Sequence, residues 1–149
     1  MKTTTIFFAL AMLAMAACQT KNDAVTEPDI HLETAVWQLT TILVDPIPRP
    51  VPDSLPVPLT VKFSEGKIEG FGGCNGFGGE YTKHDNHLSI GGLVHTEMYC
   101  EGRSQWEQLF LERLEASRTY RIEGEKLEIQ SGDMGGLVFR LNWKKRKGE

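Results

Sequence analysis

Three groups of residues in this chain have types and spacings that chemistry uses. The densest is Gly70-Phe71-Gly72-Gly73-Cys74-Asn75-Gly76-Phe77-Gly78-Gly79, with six glycines in ten positions. Glycine-rich backbone can close around a phosphate. A Walker loop then needs Gly-Lys-Ser/Thr entering a helix, and a dinucleotide fingerprint needs a helix N-terminus behind the glycines. Here Phe77 and Tyr81 continue into a strand-like run with neither cation nor helix, so phosphate does not fit. His84 and His87, with Asp85 between them and His95 further on, are metal-ligand types. Lys83-His84-Asp85-Asn86-His87 also reads as a hairpin tip, where polar residues need no metal. No metal and no other cofactor is expected. Third, Cys100 precedes a helical pattern whose N-terminus could lower its thiol pKa, and His95 stands five residues earlier as a candidate base.

The fate of Cys100 depends on the compartment, which the N-terminus indicates. Lys2 supplies one positive charge, Ile6 to Ala17 form a twelve-residue apolar run, and Ala16-Ala17 precede Cys18. A membrane span needs about 20 apolar residues, so residues 1–17 read as a secretory signal. The small pair followed by cysteine resembles a bacterial lipoprotein lipobox, with Met15 where leucine is most usual. That resemblance makes Cys18 the lipidated mature N-terminus; the alternative is an ordinary cleaved signal. Gln19, rather than aspartate, after the cysteine points to the outer membrane, facing the periplasm, by the sorting rule of Gram-negative lipoproteins. In an oxidising compartment, Cys74 and Cys100 have a simpler fate than catalysis, a disulfide with each other. Closing a loop of about 27 residues is worth roughly 3.5 kcal/mol in the chain-entropy model. Set against a typical total of about 5–15 kcal/mol, the bridge is favoured over a reactive thiol. No catalytic residue is assigned.

The elements that must hold these residues come next. Removing residues 1–17 leaves room for one domain of modest core. Residues 18–34 are polar and read as a tether between anchor and body. Residues 18–143 hold 19 acidic and 11 basic residues, a balance that argues against a nucleic-acid partner. The basic tail, residues 144–149 with Lys144-Lys145-Arg146-Lys147, reads as a solvated terminus, or as a contact for anionic lipid.

Within the body, residues 35–143, Val36 to Ile42 reads as a first strand. Six of the seven prolines then fall within residues 46–58, which should be an exposed, extended connection lacking ladder donors. Leu59–Phe63 and Lys67–Phe71 alternate around Ser64-Glu65-Gly66 and should pair as a hairpin. Phe77–Thr82 with His87–Ile90 gives another pair, and Thr119–Ile122, Leu127–Ile129 and Leu137–Leu141 continue the meander. Ser104-Gln105-Trp106-Glu107 has capping-box form, and Trp106, Leu109, Phe110 and Leu114 recur at helical spacing, so Gln105–Ala116 is an amphipathic helix. The fold class is mainly β: a small antiparallel, partly open barrel or curved sheet with one helix packed on it.

Trp37-x-Leu39, Gly73-Cys74-Asn75-Gly76-Phe77-Gly78-Gly79-Glu80-Tyr81 and Thr96-Glu97-Met98-Tyr99-Cys100 resemble the signature of the META domain, also called HslJ-like. Glu107, Phe110, Leu114, Tyr120-Arg121-Ile122-Glu123-Gly124 and Leu137-Val138-Phe139 continue the likeness, which spans about residues 37–141. The resemblance implies a curved sheet or partly open barrel, an envelope or secreted setting, and a link to heat shock and novobiocin resistance. It brings no catalytic residues; Trp37, Gly73, Cys74, Asn75, Phe77, Gly79, Tyr81, Thr96, Met98 and Cys100 look like a fold signature. The expected function is a non-enzymatic envelope lipoprotein module that binds a protein or apolar ligand. The alternatives are a small envelope enzyme, either thiol-dependent through Cys100 and His95 or a hydrolase using Asp and Glu residues that the sequence does not place, or a lipid carrier with an apolar cavity.

Overall fold

The computed structural model describes residues 30–44 and 47–142. The signal, Cys18, most of the tether and the basic tail lie outside them. Nine strands and one α-helix occur among the described residues. In chain order they are β1 (Val36–Val44), β2 (Ile47–Pro50), β3 (Thr60–Ser64), β4 (Lys67–Phe71), β5 (Gly76–His84), β6 (His87–His95), α1 (Ser104–Glu115), β7 (Thr119–Glu123), β8 (Lys126–Gln130) and β9 (Gly136–Leu141).

Alternation in the sequence becomes an inward face. Val61 and Phe63 of β3, Ile68 of β4, Phe77 and Tyr81 of β5, Leu88 and Ile90 of β6, and Leu127, Ile129, Leu137 and Phe139 of β8 and β9 are all buried. β1 starts in the same phase with Trp37 and Leu39, then slips by one residue against β9 between Leu39 and Thr41. That extra residue brings Ile42 back inside, as a bulge does. All neighbouring strands are antiparallel, and β1 pairs with β9 as well as β3, so the pairings close on themselves into a strongly curved sheet. The weakest join is β6–β7, a single pair at His87 and Thr119.

The helix covers this gap. Phe110 and Leu114 enter the core, while Arg113 is buried and donates from Nε to the Leu43 carbonyl at 3.2 Å. Rings fill the interior: Phe77 meets Phe110 edge-on at 5.6 Å, Phe110 meets Phe139 at 6.0 Å, and Phe63 meets Tyr81 at 5.1 Å. Trp106 is only half-buried and packs on the rim of the core, with the Arg49 guanidinium 5.6 Å from its ring centre.

Three sequence expectations change. The capping box does not form: Arg103 is the N-cap, Ser104 Oγ donates to the Cys100 carbonyl at 3.1 Å, and Glu107 is buried elsewhere. Tertiary donors outbid the local cap for that carboxylate. The proline-rich segment is largely exposed but extended only in part: residues 47–50 join the sheet as β2 along Thr41–Val44, and a turn at Asp53–Ser54 follows. Val51 donates to the Thr40 carbonyl at 2.9 Å, so strand alternation turns Pro48 and Pro50 toward the free edge, where no donor is needed. Residues 30–34, read as the end of the tether, belong to the folded body. Leu32 is buried, and its carbonyl accepts the Trp37 indole N–H at 2.9 Å.

The same segment seals Tyr81, whose hydroxyl donates to the Glu33 carboxylate. Burial, and then this carboxylate, push the Tyr81 phenol up to about 12. Because the folded value lies above the ordinary value of about 10, the stability it confers is complete below pH 10 and lost as pH rises through 12. Spectrophotometric titration should show a tyrosinate step near pH 12 that Tyr81→Phe removes.

Candidate functional site

The glycine cluster folds into a buried corner between β4 and β5. Gly72 N–H donates to the Asn75 carbonyl at 2.8 Å, closing a four-residue turn. Gly73 adopts φ +99, a conformation that a side chain resists. A Cβ on Gly72 would lie 2.5 Å from a Glu107 carboxylate oxygen, so the absence of a side chain there admits the carboxylate.

Glu107 reaches this corner from the first turns of α1, and only 7% of it is exposed. Its Oε2 accepts the backbone N–H of Asn75 at 2.6 Å and of Cys74 at 3.3 Å, and its Oε1 accepts Asn75 Nδ2 at 2.6 Å. The Asn75 amide also donates to the Met98 carbonyl at 3.0 Å. Its Oδ1 accepts Thr96 Oγ1 at 2.7 Å and the Met98 N–H at 2.8 Å. Four bonds exhaust an asparagine side chain. The Cys74–Cys100 disulfide, Cα to Cα 5.8 Å, adds a covalent tie beside them, and Arg103 Nη1 donates to the Gly73 carbonyl at 3.1 Å.

The sequence signature is thereby divided. Gly73, Cys74, Asn75, Thr96, Met98 and Cys100 meet at this clasp, whereas Trp37, Phe77 and Tyr81 sit in the core. Gly79 lies on the sheet, where a Cβ would meet Leu93 at 2.7 Å. Met98 contributes its backbone, and its side chain is 59% exposed. Glu107 is the central residue that sequence reasoning misassigned; an acid facing a glycine turn 32 residues away leaves no periodic signal.

Chemically, the corner is occupied by its own structure. Cys100 is bonded to Cys74 and offers no thiolate, while exposed His95 has Nδ1 2.9 Å from the Thr96 carbonyl. His84 stands 3.3 Å from Asp85 at an exposed hairpin tip, and no group of three metal-ligating side chains occurs among the described residues. Open clefts flank the sheet. One, of about 620 Å³, has a floor of Gly70, Gly76 and Gly78 between Phe71 and Val94. Another, of about 390 Å³, separates β6 from α1, and a third, of about 720 Å³, lies under Val51–Pro58.

Fold and corner together define a β-sheet module with one helix, clasped by a disulfide and a buried carboxylate. The chain matches the META domain model over residues 30–142 and belongs to that family. No curated protein matches it. Among solved structures it resembles a protein from Burkholderia xenovorans determined by NMR, 25% identical, with TM-score 0.63 over 75% of this chain and 84% of that one. A second NMR structure is 22% identical, with TM-score 0.59 over 74% and 91%. The crystal structure of a DUF4847 family protein from Bacteroides vulgatus shares the fold at 14% identity, with TM-score 0.54 over 74% and 94%.

Glu107→Ala strands two buried backbone donors, each worth about 1–3 kcal/mol, so urea unfolding should show a loss of about 2–6 kcal/mol. Glu107→Gln, which keeps the shape and one acceptor, should lose less. Reducing the disulfide should cost roughly 3.5 kcal/mol, matched by Cys74→Ser with Cys100→Ser, and the native protein should show no free thiol at these two positions without reductant.

Proposed function

We propose that this protein is a lipid-anchored envelope module, held through Cys18 in the outer membrane and facing the periplasm, that acts by binding a protein partner. Its role is in heat-shock, envelope-stress or novobiocin tolerance, and it performs no catalysis. The observation that carries this reading is the filled interior: Trp37, Phe63, Phe110 and Phe139 are all fully buried where a carrier would keep a cavity. Engagement of Cys100 in the disulfide weakens the thiol-enzyme alternative. What the module offers is its outer surface, including Val94, Met98 and Tyr99, which are 72%, 59% and 84% exposed.

Two measurements test this. Cells fed a palmitate analogue should label the protein, and Cys18→Ala should abolish labelling and release it from the membrane fraction. A deletion strain should grow more slowly than its parent under heat or novobiocin; equal growth under both, and under envelope stress, would remove the tolerance role.

A further inference from the structure

We infer that the open edge of β6 binds an extended, basic segment of a partner protein by strand addition; this deepens the partner-binding reading above and rests on it. Beyond Leu88, whose N–H donates to the Arg118 carbonyl at 3.0 Å, β6 loses β7 as a neighbour. Thr96 N–H bonds across to the Gly76 carbonyl on the β5 side at 3.2 Å, and Val94 pairs with Gly78. Antiparallel alternation therefore turns the N–H and C=O groups of Leu93 and His95 away from β5, and on the other side of the register shift between Gly78 and Glu80 those of Ile90, two residues beyond Leu88, also turn away. No strand meets these groups among the described residues.

Facing them, across the cleft of about 390 Å³, is α1 with Gln108, Leu111, Glu112 and Glu115. The lining includes two carboxylates outside the clasp and no lysine or arginine; Glu112 has the buried Arg113 Nη1 4.0 Å away and accepts from Gln108 Nε2 at 3.0 Å, and both carboxylates are exposed. Exposed Val94 lies on the strand, and exposed Met98 and Tyr99 follow its end, giving apolar contact beside the backbone donors. An extended peptide satisfies all three features: its backbone pairs with β6, alternate apolar side chains meet this surface, and its basic side chains meet Glu112 and Glu115. The contrast with β2 is informative. That edge carries Pro48 and Pro50, a usual protection against strand addition, whereas β6 from Ile90 to His95 carries neither proline nor lysine and is interrupted only by its register shift against β5, which leaves Leu93 to His95 as the regular part of the edge.

The test is an NMR titration of the ¹⁵N-labelled chain with acetyl-Val-Lys-Val-Lys-Val-Lys-amide. Protection of the Ile90, Leu93 and His95 amides from hydrogen exchange is expected, together with about tenfold weaker binding by Glu112→Lys/Glu115→Lys. Both residues are exposed, and thermal melting checks that the variant folds. The same peptide N-methylated at alternate residues, in the register whose N–H groups face β6, should lose at least about tenfold in affinity, which needs no protein variant. Equal binding of the methylated peptide, or of a peptide with glutamate in place of each lysine, or a shift map centred on Arg49 to Pro58, would overturn the inference. So would concentration-dependent protection of the same amides without peptide, which would assign the edge to a second copy. The growth phenotype tests partner binding in the cell without reference to this edge, so the two can fail separately.

Discussion

The carboxylate of Glu107, placed between a glycine turn and the first turns of the helix, is the constraint on which the rest of this molecule depends. A buried carboxylate is costly unless donors surround it, and here two backbone N–H groups and the Asn75 amide do so. Those donors come from a corner whose glycines leave room for the acid. Asn75 spends its remaining capacity on Thr96 and Met98, which fixes the loop between β6 and the helix. One charge thus holds three segments distant in sequence, and the disulfide makes the arrangement covalent.

From that corner the placement of the helix follows, and with it the closure of the sheet. The strands turn around a core of interlocking rings, but β6 and β7 part after one pair. Without α1 the interior would open to water at that gap; with it, Phe110 and Leu114 complete the core. The helix is positioned from its N-terminal end by the clasp and toward its C-terminal end by Arg113 and Ser131, whose hydroxyl donates to the Arg113 carbonyl at 2.8 Å. Two edges among the described residues are unlike: β2 is blunted by proline, and β6 is flanked by a helix that leaves space beside it.

Much of this was legible in the residues. Period-two runs located the hairpins because each has one face on the core, and Glu65-Gly66 takes the positive φ values of a tight turn. The period of Phe110 and Leu114 located the helix within one residue at each end. Cys74 and Cys100 paired because no other cysteine remains in the body. The glycine cluster also read correctly as a bend of the sheet. What misled was Ser104 with Glu107, whose spacing matches a capping box, and the prolines, whose missing donors matter only on the side that faces a neighbour.

The division has a physical basis. The sequence by itself determined what local backbone geometry and binary pattern impose: strands, turns, the helix and the family signature. Only the tertiary structure decided where Glu107 points, that Leu32 belongs to the core, and that β6 beyond Leu88 meets no second strand among the described residues. Each of those depends on which distant groups compete for the same hydrogen bond or the same apolar surface, and that competition is settled by the closed sheet as a whole.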